Sequence, residues 1–386
     1  MSAVDRREFV RLAVSAPIAT WCLPVAAVAA RRRLLILVEL KGGNDGLNTV
    51  VPFADPAYAR LRPRLAIARD TLLALSESAG LHPSLETLMP LWKDGQLAIV
   101  QGVGYPDPNL SHFRSIEIWD TASKSSEYLD DGWLSRAFAA NPSPADYAAD
   151  GVIVGSADLG PLAGKGARAI ALTNPEDYLR SARLARGGDR LSPNPALAHV
   201  LKIERDIARS AERLDPGREL RAAFPAGPFG AAARTAARLA SNPRGVSVIR
   251  ITLQGFDTHA NQQGVHAQLL RQLGDGLAAL REALVETGRW QDTLVATYSE
   301  FGRRARENQS GGTDHGTAAV HFVAGGAVKG GIYGPAPQLD RLDGEGNIVF
   351  GVDFRSYYAT LMQGAWGMDS LPVLGARFEP LPLLTA

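Results

Sequence analysis

Two histidines and an aspartate lie in one short segment, GGTDHGTAAVHF, at residues 311 to 322. Imidazole nitrogens and carboxylate oxygens suit zinc, manganese or iron, so Asp314 and His315 are candidate metal ligands. Glycines at 311, 312 and 316 permit a close backbone approach, and the apolar residues that follow predict a buried strand. The pair is then expected at a loop mouth, where open α/β sheets bind ligands. A hydrogen-bonded turn with a surface His is the alternative.

Further polar residues follow other apolar runs of strand length. If those runs form one parallel sheet, their carboxyl ends meet at one edge, and the five sets of side chains predict a single site there. Taken singly, each residue could instead be a loop cap or a solvated side chain. The further sets are Asn44 and Asp45; Ser111, His112 and Arg114; Asp257 and His259; and Glu300, Arg303 and Arg304.

A divalent ion is the cofactor that these residues predict. Zinc or manganese is favoured, with iron as a third possibility, because magnesium alone seldom uses histidine. One or two ions are expected. The predicted ligands are Asp45, Asp257, His259, Glu300, Asp314 and His315.

The residues predicted to carry out catalysis are Ser111, His112 and Arg114. A metal would activate the Ser111 hydroxyl as a nucleophile, and the Arg114 guanidinium would clamp the oxygens of a phosphate or sulfate group. His112 is a candidate base or ligand. A dyad of Ser111 with His112 is disfavoured because adjacent helical residues do not face each other.

For three other polar residues, Arg303, Arg304 and His321, a structural interpretation is favoured over a place in the site. Arg303 and Arg304 could also clamp an anion, but plain surface charge is the favoured interpretation. His321 lies inside an apolar strand and is interpreted as a core histidine.

The elements that must position these residues alternate between strand and helix. The run LLILVEL is apolar on both faces, which predicts a central parallel strand. Leucines at helical spacing between the runs GVSVIRITL and DTLVATYSEF indicate a long helix, completing a strand–helix–strand unit. The fold class predicted is an α/β/α sandwich with a mostly parallel central sheet.

The first thirty residues resemble a twin-arginine export signal. Arg6 and Arg7 precede an uncharged run from 12 to 30, and Ala27-Val28-Ala29 offers a cleavage site. An uncleaved membrane anchor is the alternative, since this run could just span a bilayer, although its prolines and alanines make it a poor one. Residues 1–30 are thus predicted to be a signal for the twin-arginine translocase, and the mature chain to be bacterial, periplasmic or secreted, with no stable membrane span.

The rest of the chain, 31–386, is predicted to be a single domain with a helical insertion around 173–243. Forty-one basic and forty acidic residues leave a formal charge of +1, which argues against a nucleic-acid partner. Cys22, the only cysteine, lies in the predicted signal, so the mature chain has no disulfide.

Several blocks together identify a family resemblance. KGGNDGLNTVVP, PNLSHFRSIEIW, GFDTHANQ, YSEFGRR and GGTDHGTAAVHFVAGGAVKGGIYG resemble the signature blocks of the twin-arginine-exported family catalogued as domain of unknown function 1501. That family is grouped with the alkaline phosphatase and sulfatase superfamily. The resemblance implies an alkaline-phosphatase-like fold and two metal ions, with Asp45 matching a carboxylate ligand and Ser111 the nucleophile.

The sequence departs from that superfamily at both metal positions. YSEFG stands where the superfamily has TSDHG, so Glu300 could replace the Asp, but Phe301 cannot replace the His. For the other ion, Asp257 and His315 match, whereas the expected second His is replaced by Asn261, with His259 nearby. SHFRS also lacks the proline of a sulfatase motif, so an orthodox sulfatase is not expected.

The function predicted is an exported, metal-dependent hydrolase of phosphate-type, possibly sulfate, esters of a small molecule or glycan. The alternative is a catalytically degenerate metal- or glycan-binding export protein on the same fold.

Overall fold

The computed structural model describes residues 33–174, 219–242 and 244–385. The predicted export signal and most of the predicted helical insertion, 175–218, lie outside the described residues. Among the helices described, none is both long enough and apolar enough to cross a membrane.

The strands of the described residues form one large sheet and two small ones. The large sheet has the order β13-β5-β12-β9-β1-β8-β6-β7, with β14 pairing with β5. The strands are β1 (Leu34–Lys41), β2 (Val50–Val51), β3 (Leu73–Ala74), β4 (Gly80–Leu81), β5 (Leu97–Gly104), β6 (Ala149–Val154), β7 (Ala169–Leu172), β8 (Val246–Gln254), β9 (Thr293–Tyr298), β10 (Gly302–Glu307), β11 (Thr313–Gly316), β12 (Ala319–Ala324), β13 (Gly331–Tyr333) and β14 (Val352–Asp353).

Helices cover both faces of the large sheet. The α-helices of the described residues are α1 (Gly46–Thr49), α2 (Pro56–Leu61), α3 (Met89–Lys93), α4 (His112–Thr121), α5 (Trp133–Ala140), α6 (Pro228–Ala240), α7 (Gln262–Glu286), α8 (Phe354–Trp366) and α9 (Leu371–Leu374).

Strand β1 shows why the fold has three layers. Its side chains alternate between the two faces of the sheet: Ile36 and Val38 join the core beneath α6 and α7, whereas Leu35 and Leu37 join the core beneath α4, α5 and α8. Seven of its eight residues are buried. A strand with water on neither face is expected to be apolar along most of its length, and the buried exception, Glu39, is paired with Arg250 at 2.7 Å. The predicted α/β/α sandwich is confirmed.

One strand of the large sheet, β12, is antiparallel to its neighbours, and its direction brings the candidate residues together. β12 is antiparallel to both β5 and β9, whereas the other pairings in this sheet are parallel. The beginning of β12 therefore lies at the edge where β1, β5, β8 and β9 end. The segment GGTDHG, just before β12, consequently joins the loops that follow those four strands.

Candidate metal centre

Three histidines converge on one aspartate at this sheet edge. His112 is the first residue of α4, Asp257 and His259 lie in the loop after β8, and His315 is on β11. His112, Asp257 and His315 form a group whose ligand atoms all lie within 4.8 Å of one another. Residues far apart in the chain thus form one cluster.

The imidazole Nε2 atoms all face the Asp257 carboxylate. Asp257 Oδ1 lies 3.0 Å from His259 Nε2 and 3.1 Å from His315 Nε2, and its Oδ2 lies 3.3 Å from His112 Nε2. The Nε2 atoms of His259 and His315 are 2.9 Å apart. Each ring therefore presents the same nitrogen to a shared centre.

An oxygen atom lies beside the Nδ1 atom of each imidazole ring, on the side away from Asp257, and orients the ring. His315 Nδ1 lies 2.8 Å from the Leu110 carbonyl oxygen. His112 Nδ1 lies 3.0 Å from Glu300 Oε1, and His259 Nδ1 lies 3.2 Å from Asp314 Oδ1. These oxygens can only accept, so the ring proton belongs on Nδ1 and leaves a lone pair on Nε2. This arrangement is typical of metal-binding histidines, whose other nitrogen donates to a carboxylate or a backbone carbonyl.

The protonation states of the cluster suit a cation. Burial would raise the pKa of Asp257, but the hydrogen bond and the positive charge of Arg303 oppose this effect, and the pKa is lowered to about 2. Burial lowers the pKa of His315, which favours its neutral form. His112 differs, because its hydrogen bond to Glu300 raises its pKa. A permanent carboxylate beside a neutral imidazole is a ligand pair suited to a divalent ion.

The donor set fits a metal ion of the zinc type. Two Nε2 lone pairs that face each other at 2.9 Å repel unless a proton or a cation lies between them. Around an ion bound tetrahedrally at about 2.0–2.1 Å, neighbouring ligand atoms lie about 3.3 Å apart. The contacts of 2.9 to 3.3 Å within the cluster are close to that spacing. His112, Asp257, His315 and, at one side, His259 are the residues that could hold the ion.

Asp314 and Glu300 each contact the Nδ1 atom of one histidine of the cluster. Asp314 Oδ1 contacts His259 and also accepts from Asn308 Nδ2 at 3.1 Å. Glu300 is buried and accepts from the Gly42 backbone N–H at 2.8 Å as well as contacting His112. Both residues were predicted from the sequence as direct ligands. In the structure each one contacts an Nδ1 atom, on the far side of the ring from Asp257.

The buried Arg303 side chain connects the surrounding segments by hydrogen bonds to their backbone carbonyls. It is fully buried and donates to the Asp257 carboxylate at 2.8 Å. The prediction of a surface position for Arg303 is wrong, because backbone carbonyls from the loops after β1 and β8 and from the start of β11 accept hydrogen bonds from the guanidinium. These acceptors are the carbonyls of Gly42, Gly43, Phe256 and Thr313. Arg304 is half-buried.

Phe301 packs against the imidazole rings. Its ring centroid lies 4.4 Å from that of His315 and 4.9 Å from that of His112. The side chain is buried. An apolar ring at this point shields one side of the cluster from water and offers no ligand atom, as its residue type predicts.

Asp45 takes part in a different buried network. Burial would raise its pKa, but the Arg62 guanidinium, with Nη1 at 2.5 Å from Asp45 Oδ2, lowers it. The same oxygen accepts from Gln262 Nε2. Asp45 Oδ1 has no hydrogen-bond partner among the described residues. The structure thus pairs Asp45 with a protein cation instead of placing it with the histidines.

The predicted catalytic residues on the first turn of α4 differ in exposure. Ser111 is exposed at the N-terminal end of α4 and its side chain makes no capping hydrogen bond. Arg114 is buried and donates to the carbonyls of Lys124, Ser125 and Glu127. The structure therefore brings His112 to the cluster, with Ser111 next to it in the chain, whereas Arg114 binds the following loop.

Glycine is required where β11 approaches its neighbours. A Cβ atom on Gly316 would lie 2.4 Å from the backbone carbon of Arg303, and one on Gly312 would lie 2.3 Å from the backbone of His259. The close backbone approach predicted for these two glycines is confirmed. Gly311 differs: it has a φ of +72° with open space around it.

His321 lies in the core of the domain, as predicted. Neither ring nitrogen has a hydrogen-bond partner among the described residues, and burial lowers its pKa to about 3. Its ring packs edge-on against Trp119 at 5.3 Å.

The cluster and the fold can be compared with known proteins. The chain belongs to the family described as protein of unknown function (DUF1501), which it matches over residues 98–348, more than half of its length. The predicted family is confirmed. No curated protein matches the sequence.

Some solved structures are broadly similar in fold. The lipoteichoic acid synthase LtaP from Listeria monocytogenes is 10% identical with a TM-score of 0.34, and the match covers 78% of this chain and 66%, just under two thirds, of that one. The PsFucS1 sulfatase from Pseudoalteromonas sp. is 10% identical with a TM-score of 0.36, over 91% and 71% of the two chains. A TAB5 alkaline phosphatase mutant is 12% identical with a TM-score of 0.36, over 78% and 94%. Scores this low carry no argument about activity.

Proposed function

We propose that the protein is a metal-dependent hydrolase of phosphate-type esters, with Ser111 as its nucleophile. The observation that carries this proposal is the convergence of three imidazole Nε2 atoms on Asp257 directly beside an exposed serine. His112 is a ligand in this proposal, and it follows Ser111 in the chain. His315 bonds the carbonyl of Leu110, the residue before Ser111. The residues on both sides of Ser111 in the chain therefore contact the cluster, which supports a position of the serine beside it.

The reaction proposed is a displacement at phosphorus. The bond from Ser111 Oγ to phosphorus forms as the bond to the leaving-group oxygen breaks, the hydroxyl proton passes to solvent, and water then releases phosphate from the serine. A bound divalent ion would supply Lewis acidity and lower the pKa of the hydroxyl. The first N–H groups of α4 have no carbonyl partner within the helix and can donate to the phosphate oxygens.

The ion proposed is zinc or manganese, held by His112, Asp257 and His315, with His259 as a fourth donor. A single ion is favoured because Asp45 is neutralised by Arg62, and Phe301 provides no ligand atom. Sulfate esters remain a second substrate class, since the same site would bind their oxygens. Residues 1–30 support export by the twin-arginine translocase, which would place the mature protein in the periplasm or outside the cell.

Elemental mass spectrometry and turnover together test the proposal. The mature protein is expected to contain about one equivalent of metal and to hydrolyse p-nitrophenyl phosphate, and the Asp257→Ala, His315→Ala double variant is expected to lose both. Ser111→Ala is expected to keep the metal and lose turnover. Ser78→Ala, at an exposed serine in the segment between β3 and β4, is the matched control and is expected to keep both. Wild-type protein without metal would refute the proposal.

A metal- or glycan-binding protein without turnover is the second candidate. It is favoured by the commitment of two arginines to protein partners, since Arg114 binds backbone carbonyls and Arg303 is fully buried. Neither guanidinium is free to clamp a phosphate group. Retention of metal with no hydrolysis of phosphate or sulfate ester panels by the wild-type protein would favour this candidate.

A further inference from the structure

A buried glutamine amide connects three segments that border the cluster. Gln262 is the first residue of α7, and its side chain is fully buried. Its Oε1 atom accepts hydrogen bonds from the hydroxyl of Thr258 at 3.1 Å and from that of Thr313 at 2.6 Å. Its Nε2 atom donates to Asp45 Oδ2. One side chain thus joins the loops after β1 and β8 to the start of β11.

The chemistry of the three partners fixes the orientation of this amide. Burial would raise the pKa of Asp45, but the Arg62 guanidinium lowers that pKa and keeps the carboxylate ionised, so it can only accept. The amide nitrogen must therefore face Asp45, which leaves Oε1 facing two hydroxyls that each have a proton to donate. All of these side chains are buried. Because a buried polar group that loses its partner is costly, the three bonds favour one arrangement of the segments.

The two threonines belong to the segments that supply three of the candidate ligands. Thr258 lies between Asp257 and His259, and Thr313 lies two residues before His315 on β11. The Thr313 N–H also donates to the Thr258 carbonyl at 3.2 Å. The ligand contacts of 2.9 to 3.1 Å span the same two segments. A shift of one segment against the other would therefore separate the ligand atoms.

We infer that Gln262 is a positioning residue of the candidate metal centre, whose amide holds the loop after β8 and the start of β11 at the spacing that the ligands need. Asp45 is then an anchor for this amide and not a ligand. Ligands that are held in place before the ion arrives lose less freedom when they bind it, so loss of the amide is expected to weaken metal binding. The inference rests on the proposed metal site but not on the proposed hydrolysis.

The zinc affinity of the mature protein, measured against a chromophoric chelator, tests this inference. Gln262→Met keeps the length of the side chain without its amide and is expected to weaken zinc binding about tenfold, the lower limit for loss of an outer partner of a metal site. Thr313→Val keeps the shape of threonine but loses the hydroxyl, and is expected to weaken zinc binding about threefold. Thr313→Ser keeps the hydroxyl and is expected to bind zinc as the wild type does. A role in packing alone would reverse the order of the two Thr313 variants.

The control variant is Gln96→Met, which is expected to keep wild-type zinc affinity. Gln96 lies just before β5, at the opposite edge of the large sheet, and its Oε1 accepts from Trp290 Nε1 at 3.0 Å. Wild-type affinity in both Gln262→Met and Thr313→Val, or an equal loss in Thr313→Ser and Thr313→Val, would overturn the inference. An equal loss in Gln96→Met and Gln262→Met would also overturn it.

The two Thr313 variants decide the question if Gln262→Met does not fold. The expected order of zinc affinities without turnover of p-nitrophenyl phosphate would retain the inference and refute the proposed hydrolysis. Turnover with equal zinc affinities in all variants would do the reverse, and wild-type protein that binds no zinc would refute both.

Discussion

Replacement of Asp314 by alanine would remove the acceptor behind one histidine of the cluster. Asp314 Oδ1 lies 3.2 Å from His259 Nδ1 and 3.1 Å from Asn308 Nδ2. Without it, the His259 ring can rotate or move its proton to Nε2, where the proton would block metal binding. Loss of such a partner weakens metal binding about 10–100-fold, or about 1.4–2.8 kcal/mol. The Asp314 side chain is 50% exposed, so water replaces part of the bond and we expect the lower limit, about tenfold.

Zinc affinity would be measured by competition with a chromophoric chelator. Asp314→Asn keeps an acceptor oxygen without the charge, so its affinity is expected between those of the wild type and Asp314→Ala. Asp369→Ala is the matched control, because this aspartate accepts only a local bond from the Leu371 N–H at 3.0 Å among the described contacts. Unchanged affinity in Asp314→Ala, or an equal loss in Asp369→Ala, would refute the assignment of Asp314 as the residue that orients His259.

Two further predictions concern buried polar groups outside the cluster. Burial lowers the pKa of His321 to about 3 in the folded protein, whereas an unfolded histidine has a pKa of about 6.5. Below about pH 6.5 only the unfolded chain binds a proton at this residue, so the free energy of unfolding falls as the pH is lowered. His321→Phe is therefore expected to reduce the loss of unfolding free energy between pH 7.5 and pH 5 by about 2 kcal/mol in urea titrations; an unchanged loss would contradict this account. Arg62→Ala leaves the Asp45 carboxylate buried without its cation, which is expected to cost about 3–5 kcal/mol of unfolding free energy at pH 7. An Asp45→Asn, Arg62→Met double variant should lose less, and equal losses would argue against an unpaired charge as the cause.

The arrangement of layers could be predicted because it depends on local patterns. The run LLILVEL is apolar on both faces except at Glu39, and β1 indeed lies between β8 and β9 with helices on both sides of the sheet. The direction of β12 could not be predicted, since an apolar run has the same pattern in either direction. That direction depends on the edge at which the chain enters the sheet.

The candidate site could be predicted only in part. Asp257 and His259 could be identified because they follow a predicted strand, and His315 because it precedes one; the structure brings the three together. The sequence does not decide whether His112 is a base or a metal ligand. Only the folded structure shows that its Nε2 faces the Asp257 carboxylate.

The burial of Arg303 could not be predicted because its partners are dispersed along the chain. A charged residue is stable in the interior only when enough acceptors surround it, and the acceptors of Arg303 follow β1 and β8 or begin β11. No local pattern around RR at 303 and 304 contains that information. The same reasoning applies to Asp45 and Arg62, which become a pair only after α2 packs beside α1.

The Arg303 guanidinium also restricts the motion of the backbone segments around the cluster. Because the guanidinium donates to the carbonyls of Gly43, Phe256 and Thr313, neither the loops after β1 and β8 nor the start of β11 can move away without breaking a hydrogen bond to a buried charge. The loss of one hydrogen bond to a charged group costs about 1.5–3 kcal/mol, which limits the population with any one of these segments open to about one molecule in ten to one in 150. The backbone around the histidines is therefore assembled in most molecules before any ligand arrives, and substrates reach a site that is already formed.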